Sequence, residues 1–166
     1  MATTSSSLFN ALDAAASAPD ASVLGGRVPC AVALFDDIAA GSTGNGDILK
    51  IAPLPSNARV ISIQMSNTDH DSGDNDTTYD LGLYDQDGND LDSDVYIDGG
   101  TELRAAANRT ELLDPVDLDA DFGKRVWEQA NLTADPNSFI DLCLTIKSAT
   151  AESAIDCAFV ILYVVD

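Results

Sequence analysis

Apolar and polar residues alternate with a period of two along most of the chain after Arg27, a pattern that predicts extended strands with one face turned to a core. In 28–35 the residues Val28, Cys30, Val32 and Leu34 share one side, read here as the inward one. The stretch 47–54 predicts a second strand, closed by Pro53 and Pro55. In 59–65, Ile61, Ile63 and Met65 alternate as inward positions with Ser62 and Gln64 outward. A further strand is predicted over 78–84, before the turn signal Asp87-Gly88, and a short edge strand over 94–98. Residues 139–147 place Ile140, Leu142, Leu144 and Ile146 on one face and Asp141, Cys143, Thr145 and Lys147 on the other. The last run, 155–165, is apolar on both faces, as expected of a strand at the centre of a packed sheet or at a subunit contact.

Helical signals are confined to 101–131. Good helix formers follow a potential cap at Thr101 up to Ala107, and a second short helix is predicted over 122–130, carrying Val126 and Trp127. The class is therefore all-β: a β-sandwich or jelly roll of about seven or eight strands with one or two short helices. Residues 1–26 read differently, as an extended N-terminal arm ahead of a sandwich domain at 27–166. The arm is small and polar, with Asp13 and Asp20 its only charged side chains, a short apolar cluster at Leu8, Phe9 and Leu12, and a linker ending in Gly25-Gly26. A single domain suits 166 residues. With one Trp, four Tyr and five Phe, the core must come mainly from Val, Ile, Leu and Ala.

Charge narrows the function. Eight Lys and Arg against 28 Asp and Glu give a net charge of −20. Nucleic-acid affinity rests on counterion release by cationic side chains, and anionic membranes attract the same groups, so neither partner is expected. Eleven aspartates fall between Asn67 and Asp98, with no Lys, Arg or Glu among them. Hard cations take several oxygen ligands, which makes Asp69, Asp71, Asp85 and Asp87 the candidates for a structural calcium site, the one cofactor considered. Asp, Asn and Gly are equally the residues of solvated turns, and neither segment matches an EF-hand loop. His70, the single histidine, is read as a surface turn residue held protonated by Asp69 and Asp71. Cys30, Cys143 and Cys157 lie in apolar runs, are expected in the core as free thiols, and suggest a reducing compartment. No signal peptide, membrane span, nucleophile elbow, P-loop or dinucleotide fingerprint is read in the sequence, and no catalytic residue is expected.

Several stretches together carry a likeness: "PSNARVISIQMSNTDHDSG", "TTYDLGLYDQDGND", "FGKRVWEQANLTADPNSFIDLCLTI" and the terminal "YVVD". Across about 45–166 the chain resembles a group of small structural proteins of tailed bacteriophages, some of which are capsid decoration or cement proteins. Asp80-Leu81-Gly82-Leu83-Tyr84, 123–128 and Asp135-Pro136 are its most characteristic pieces. The resemblance implies a compact β-domain on the outside of a virion capsid, assembled in the host cytoplasm. It further implies a homo-oligomer that binds the major capsid protein and cements neighbouring capsomers, with the arm reaching onto neighbours. On that reading the contact residues are Leu8, Phe9 and Leu12 in the arm and Val160, Leu162 and Val164 on the outer face of the last strand. A calcium-assisted carbohydrate-binding or adhesion module, another virion part such as a neck or tail component, and a carboxylate-based hydrolase are the alternatives.

Overall fold

A computed structural model describes residues 3–5, 28–39, 44–71, 73, 76–113, 123–148 and 154–165. Among them run nine strands: β1 (Thr3–Ser5), β2 (Cys30–Ile38), β3 (Ile48–Pro55), β4 (Ala58–Asn67), β5 (Thr78–Tyr84), β6 (Asp90–Gly100), β7 (Ala107–Glu111), β8 (Phe139–Ser148) and β9 (Ile155–Val165). They form a five-stranded sheet, β1-β3-β8-β5-β6, and a four-stranded sheet, β2-β9-β4-β7. Every pairing is antiparallel except that of β1 with β3. From β2 to β9 the chain crosses repeatedly between the two sheets, the winding of a jelly roll, in agreement with the all-β expectation.

The core lies between the sheets. The five-stranded sheet contributes Leu49, Leu54, Tyr79, Leu81, Leu83, Leu142, Leu144 and Ile146, and the four-stranded sheet Ala33, Phe35, Ile63, Met65, Phe159 and Ile161. Each large apolar side chain removed from water in this way contributes about 1.5–3 kcal/mol. Phe35 and Phe159 meet edge to face, with centroids 6.2 Å apart and planes at 86°. The helices expected over 101–107 and 122–130 shrink to a 3₁₀ turn at Glu102–Arg104 and a single turn, α1, at Val126–Gln129. Thr101 makes no side-chain cap, and the segment after the turn is taken by β7, which hydrogen-bonds to β4. Buried Leu103 and Val126 join the core from these turns, so both segments serve as covers over the sandwich. No helix among the described residues is long and apolar enough to cross a membrane.

Several pairings depart from strict alternation, β2 with β9 between Phe35 and Ile38 among them. β6 is the predicted edge strand but runs 11 residues, because its register against β5 breaks three times. Between Leu81↔Ile97 and Leu83↔Asp92 it gains extra residues and swells out. There its backbone at Asp92 and Ser93 crosses directly over Gly82, in space that any side chain would fill. In β4 a bulge between Val60 and Ser62 turns Ile61 outward, 41% exposed, against the inward expectation. Pro53 lies within β3, pairing with Asp141, at a position beyond the reach of β1, which covers only Ile48 to Lys50.

Gly82→Ala should therefore drive a methyl into the backbone of β6 and destabilise the fold by about 1–3 kcal/mol, the usual scale of overpacking, as measured by urea unfolding.

Candidate functional site

The outer face of the four-stranded sheet is built by its register. Along β9 the inward residues Cys157, Phe159 and Ile161 sit beside Phe35, Ala33 and Ala31 of β2. Small stands beside large at each step, so the sheet can lie close to its partner without a void. This matching fixes the strand's orientation. Ala31, Ala33 and Phe35 point in, and Val28, Val32 and Leu34 are left 53%, 57% and 49% exposed. The side expected to face the core is thus the outer one. Alternation alone could not separate the two faces of β2, because both are apolar.

Val160, Leu162 and Val164 lie where the sequence placed them, on the outer side of β9, and are half-buried there. Val32 pairs with Val160 and Cys30 with Leu162, which makes one apolar surface across the two strands. Towards β4 the same rows turn polar, with Ser62 beside Leu162, Gln64 beside Val160 and Arg59 beside Val164. That half satisfies itself: Ser62 Oγ donates to Glu111 Oε2 at 2.6 Å, and Arg109 Nη2 donates to Gln64 Oε1 at 3.4 Å. Among the described residues the face is therefore divided into a hydrogen-bonded half and an apolar half. Leu8, Phe9 and Leu12 lie outside the described residues.

The calcium candidates are separated. Asp69 and Asp71 precede β5, whereas Asp85 and Asp87 follow it, so the two pairs stand a strand's length apart, about 20 Å. Asp69 Oδ1 accepts the Asp71 amide at 3.0 Å, and Asp71 Oδ2 accepts the Thr77 amide at 2.8 Å. Asp85 accepts both the backbone N–H and the side-chain amide of Asn89, each at 2.7 Å, and the Asn89 side chain is the main cause holding its carboxyl below the usual range. Asp87 is exposed. These contacts are turn-closing ones. Among the described residues no group of three or more His, Cys, Asp or Glu is gathered as a metal site would require.

His70 corrects the sequence reading. It is 1% exposed, and its backbone N–H donates to Leu103 O at 3.0 Å. Burial lowers its pKa below the ordinary 6.5 and outweighs the attraction of Asp71 and Asp69. Cys30, expected in the core, is exposed, while Cys143 and Cys157 are buried, the latter with its thiol pushed up to about 12 by burial. Sequence reasoning also missed a pair on the outer side of the five-stranded sheet. Lys50 Nζ meets Asp141 Oδ2 at 3.1 Å beside a small cluster of Ile48, Tyr84 and Cys143. Burial pushes the Asp141 carboxyl upward, against the pull of Lys50. A shallow hollow of about 250 Å³ lies between Ser56, Asn57, Asp135 and Phe139. There Ser56 Oγ donates to Asp135 Oδ1 at 2.5 Å, a contact that tethers the loop before β8.

No family model and no curated protein matches the sequence. Among solved structures, a chain of the capsid of Ralstonia phage GP4 shares the fold with a TM-score of 0.65 at 15% identity, over 99% of both chains. A chain of the cyanophage Pam1 capsid asymmetric unit aligns over 93% of this chain and 96% of its own, at 15% identity and a TM-score of 0.46.

Because burial lowers the pKa of His70 in the fold below its unfolded value of 6.5, the stability it contributes should be present above pH 6.5 and decline as the pH falls below it. His70→Gln should flatten that slope in urea unfolding at pH 7.5 and 5.5, and an unchanged difference between the two pH values would exclude His70 as its source.

Proposed function

We propose that this chain is a structural protein of a phage virion that sits on the outside of the capsid and cements neighbouring capsomers. The observation that carries the reading is the apolar half-face of β2 and β9, uncovered among the described residues, on a chain of net charge −20. Such a chain repels other anionic surfaces at long range, so attachment to one of them has to come from apolar burial where carboxylates are absent. The likeness of fold to a chain of the Ralstonia phage GP4 capsid, end to end, supports the same setting. Acidity supports an outer position, since packaged DNA repels a polyanion.

In this reading Val160, Leu162 and Val164, flanked by Val32, seat the domain on the major capsid protein. The arm, through Leu8, Phe9 and Leu12, reaches a neighbouring capsomer. Each contact alone is weak, and the tether between them raises the effective concentration of the second. Metal is not needed for this action, because the contact is apolar.

The test uses expanded heads lacking the protein. The full chain should bind them saturably, and Leu162→Asp should weaken binding by roughly tenfold or more through a buried unpaired carboxylate, with an unchanged circular dichroism spectrum. Replacing Leu8, Phe9 and Leu12 together by Ser, which leaves β1 and its pairing with β3 in place, should give a folded protein with little residual binding. Wild-type binding by Leu162→Asp would remove the β9 face from the contact, and full binding by the triple variant would remove the arm.

A further inference from the structure

The pair Lys50–Asp141 takes no part in the contact proposed above, and its setting differs from that of the Lys147–Asp80 pair on the same side of the sheet. Lys147 Nζ meets Asp80 Oδ2 at 2.7 Å, but the Lys147 side chain is 52% exposed, and Asp80 Oδ1 also accepts the Gly99 amide at 3.0 Å. Solvent and a second donor make that an ordinary ion pair. Asp141 is wholly buried, the Lys50 side chain is 11% exposed, and among the described residues Asp141 Oδ1 meets no donor. Two opposite charges withdrawn from water are costly unless the remaining lone pairs are satisfied, and here one carboxyl oxygen is not.

The ladder builds this setting. Lys50 of β3 stands opposite Cys143 of β8, so Asp141 is its diagonal neighbour on the same face, within reach of a long side chain. Ile48, Tyr84 and Cys143 pack together there as buried neighbours, and the Tyr84 hydroxyl is taken up by Thr145 Oγ1 at 2.8 Å. Lys50 Nζ donates to Asp141 Oδ2 at 3.1 Å and to Gln86 O at 3.5 Å, contacts that hold the amine against the carboxyl. Burial favours the neutral form of Asp141, and Asp85 adds repulsion against a second negative charge.

We propose that Lys50 and Asp141 condense within the folded chain to an isopeptide bond that joins β3 covalently to β8. In a site shielded from water, one proton passes from the Lys50 ammonium to Asp141 Oδ2, which turns the ion pair into a neutral amine and a neutral acid. The amine lone pair attacks Cγ of Asp141, forming the N–C bond and moving the carbonyl electron pair onto Oδ1. A second proton then leaves the nitrogen for Oδ2. As the C=O bond re-forms at Oδ1, the Cγ–Oδ2 bond breaks and Oδ2 departs as water. One ammonium and one carboxylate thus give one amide and one water, and the step needs no oxidant or co-reactant. Folding replaces the encounter of two separate reactants by groups already in contact, and burial keeps water from reversing the step. The product also removes both buried charges and leaves an amide oxygen, which costs less than a carboxylate oxygen to bury without a donor. β8 lies between β3 and β5, so the bond braces the centre of the five-stranded sheet.

Tryptic mapping of the purified full chain by mass spectrometry tests this. In the wild type, trypsin should fail to cut after Lys50 and should release a branched peptide joining 28–59 to 126–147, lighter than the two together by one water. Lys50→Arg keeps the positive charge but offers no primary amine, so cleavage at position 50 should return and the two peptides should separate. Asp141→Ala should likewise give unlinked peptides. In urea unfolding the linked wild type should have a higher midpoint than Lys50→Arg, because the bond persists in the unfolded chain and restricts it. Unlinked, unmodified peptides from wild type after prolonged incubation in the folded state would overturn the inference. So would a loss of water confined to a single linear peptide, the mark of a cyclised aspartate. These readouts contain no capsid, so their failure is distinct from a failure of the cement reading.

Discussion

The size match between the inner faces of β2 and β9 is the contact on which the surface of this molecule depends. Ala31 and Ala33 stand beside Ile161 and Phe159, and Phe35 stands beside Cys157, so three rows fill the same depth of core with different side chains. Once that depth is filled, β2 has no freedom to rotate by one residue, because a shift of one would bury Val32 and Leu34 and expose Phe35. The exposed stripe is thus a consequence of good packing on the opposite side. It is left uncovered among the described residues because β9, centred between β2 and β4, is already apolar on its outer side as well.

Electrostatics shapes the rest by exclusion. Aspartates crowd the loops around β5 and the edge strand β6, where they close turns or sit at bulges, and Lys50 and Lys147 are tied to Asp141 and Asp80 on the outer side of the five-stranded sheet. The two sheets consequently present different exteriors. One carries ion pairs and carboxylates, and the other carries an apolar half-face beside a hydrogen-bonded polar half. A chain that repels anionic surfaces over most of its exterior can form a specific contact with few residues, since the repulsion suppresses alternatives of like charge.

Much of this was legible in the residues. The strands at β3, β4, β5, β8 and β9 fall where alternation or apolar runs predicted strands, and inward Phe159 and Ile161 fix the phase of β9, with Val160, Leu162 and Val164 on its other side. Positions where the ladder slips were not legible. Ile61 sits at a bulge, β6 carries extra residues over Gly82, and Thr101 opens a 3₁₀ turn before a strand, all settled by neighbours distant in sequence. His70 shows the same limit in chemistry. Two flanking aspartates suggested an exposed, protonated ring, but burial beside Leu103 outweighs them.

By itself, then, the sequence determined the class of fold, the net charge and where its carboxylates concentrate, since these follow from local period and composition. Only the tertiary structure decided which face of β2 looks outward, which strands lie at the sheet edges, and that Asp69 and Asp71 are held apart from Asp85 and Asp87 by the length of β5. The physical reason is common to all three. A strand's phase, its neighbours and the distance between its ends are fixed by pairing and packing against residues far along the chain, and local pattern carries no information about those partners.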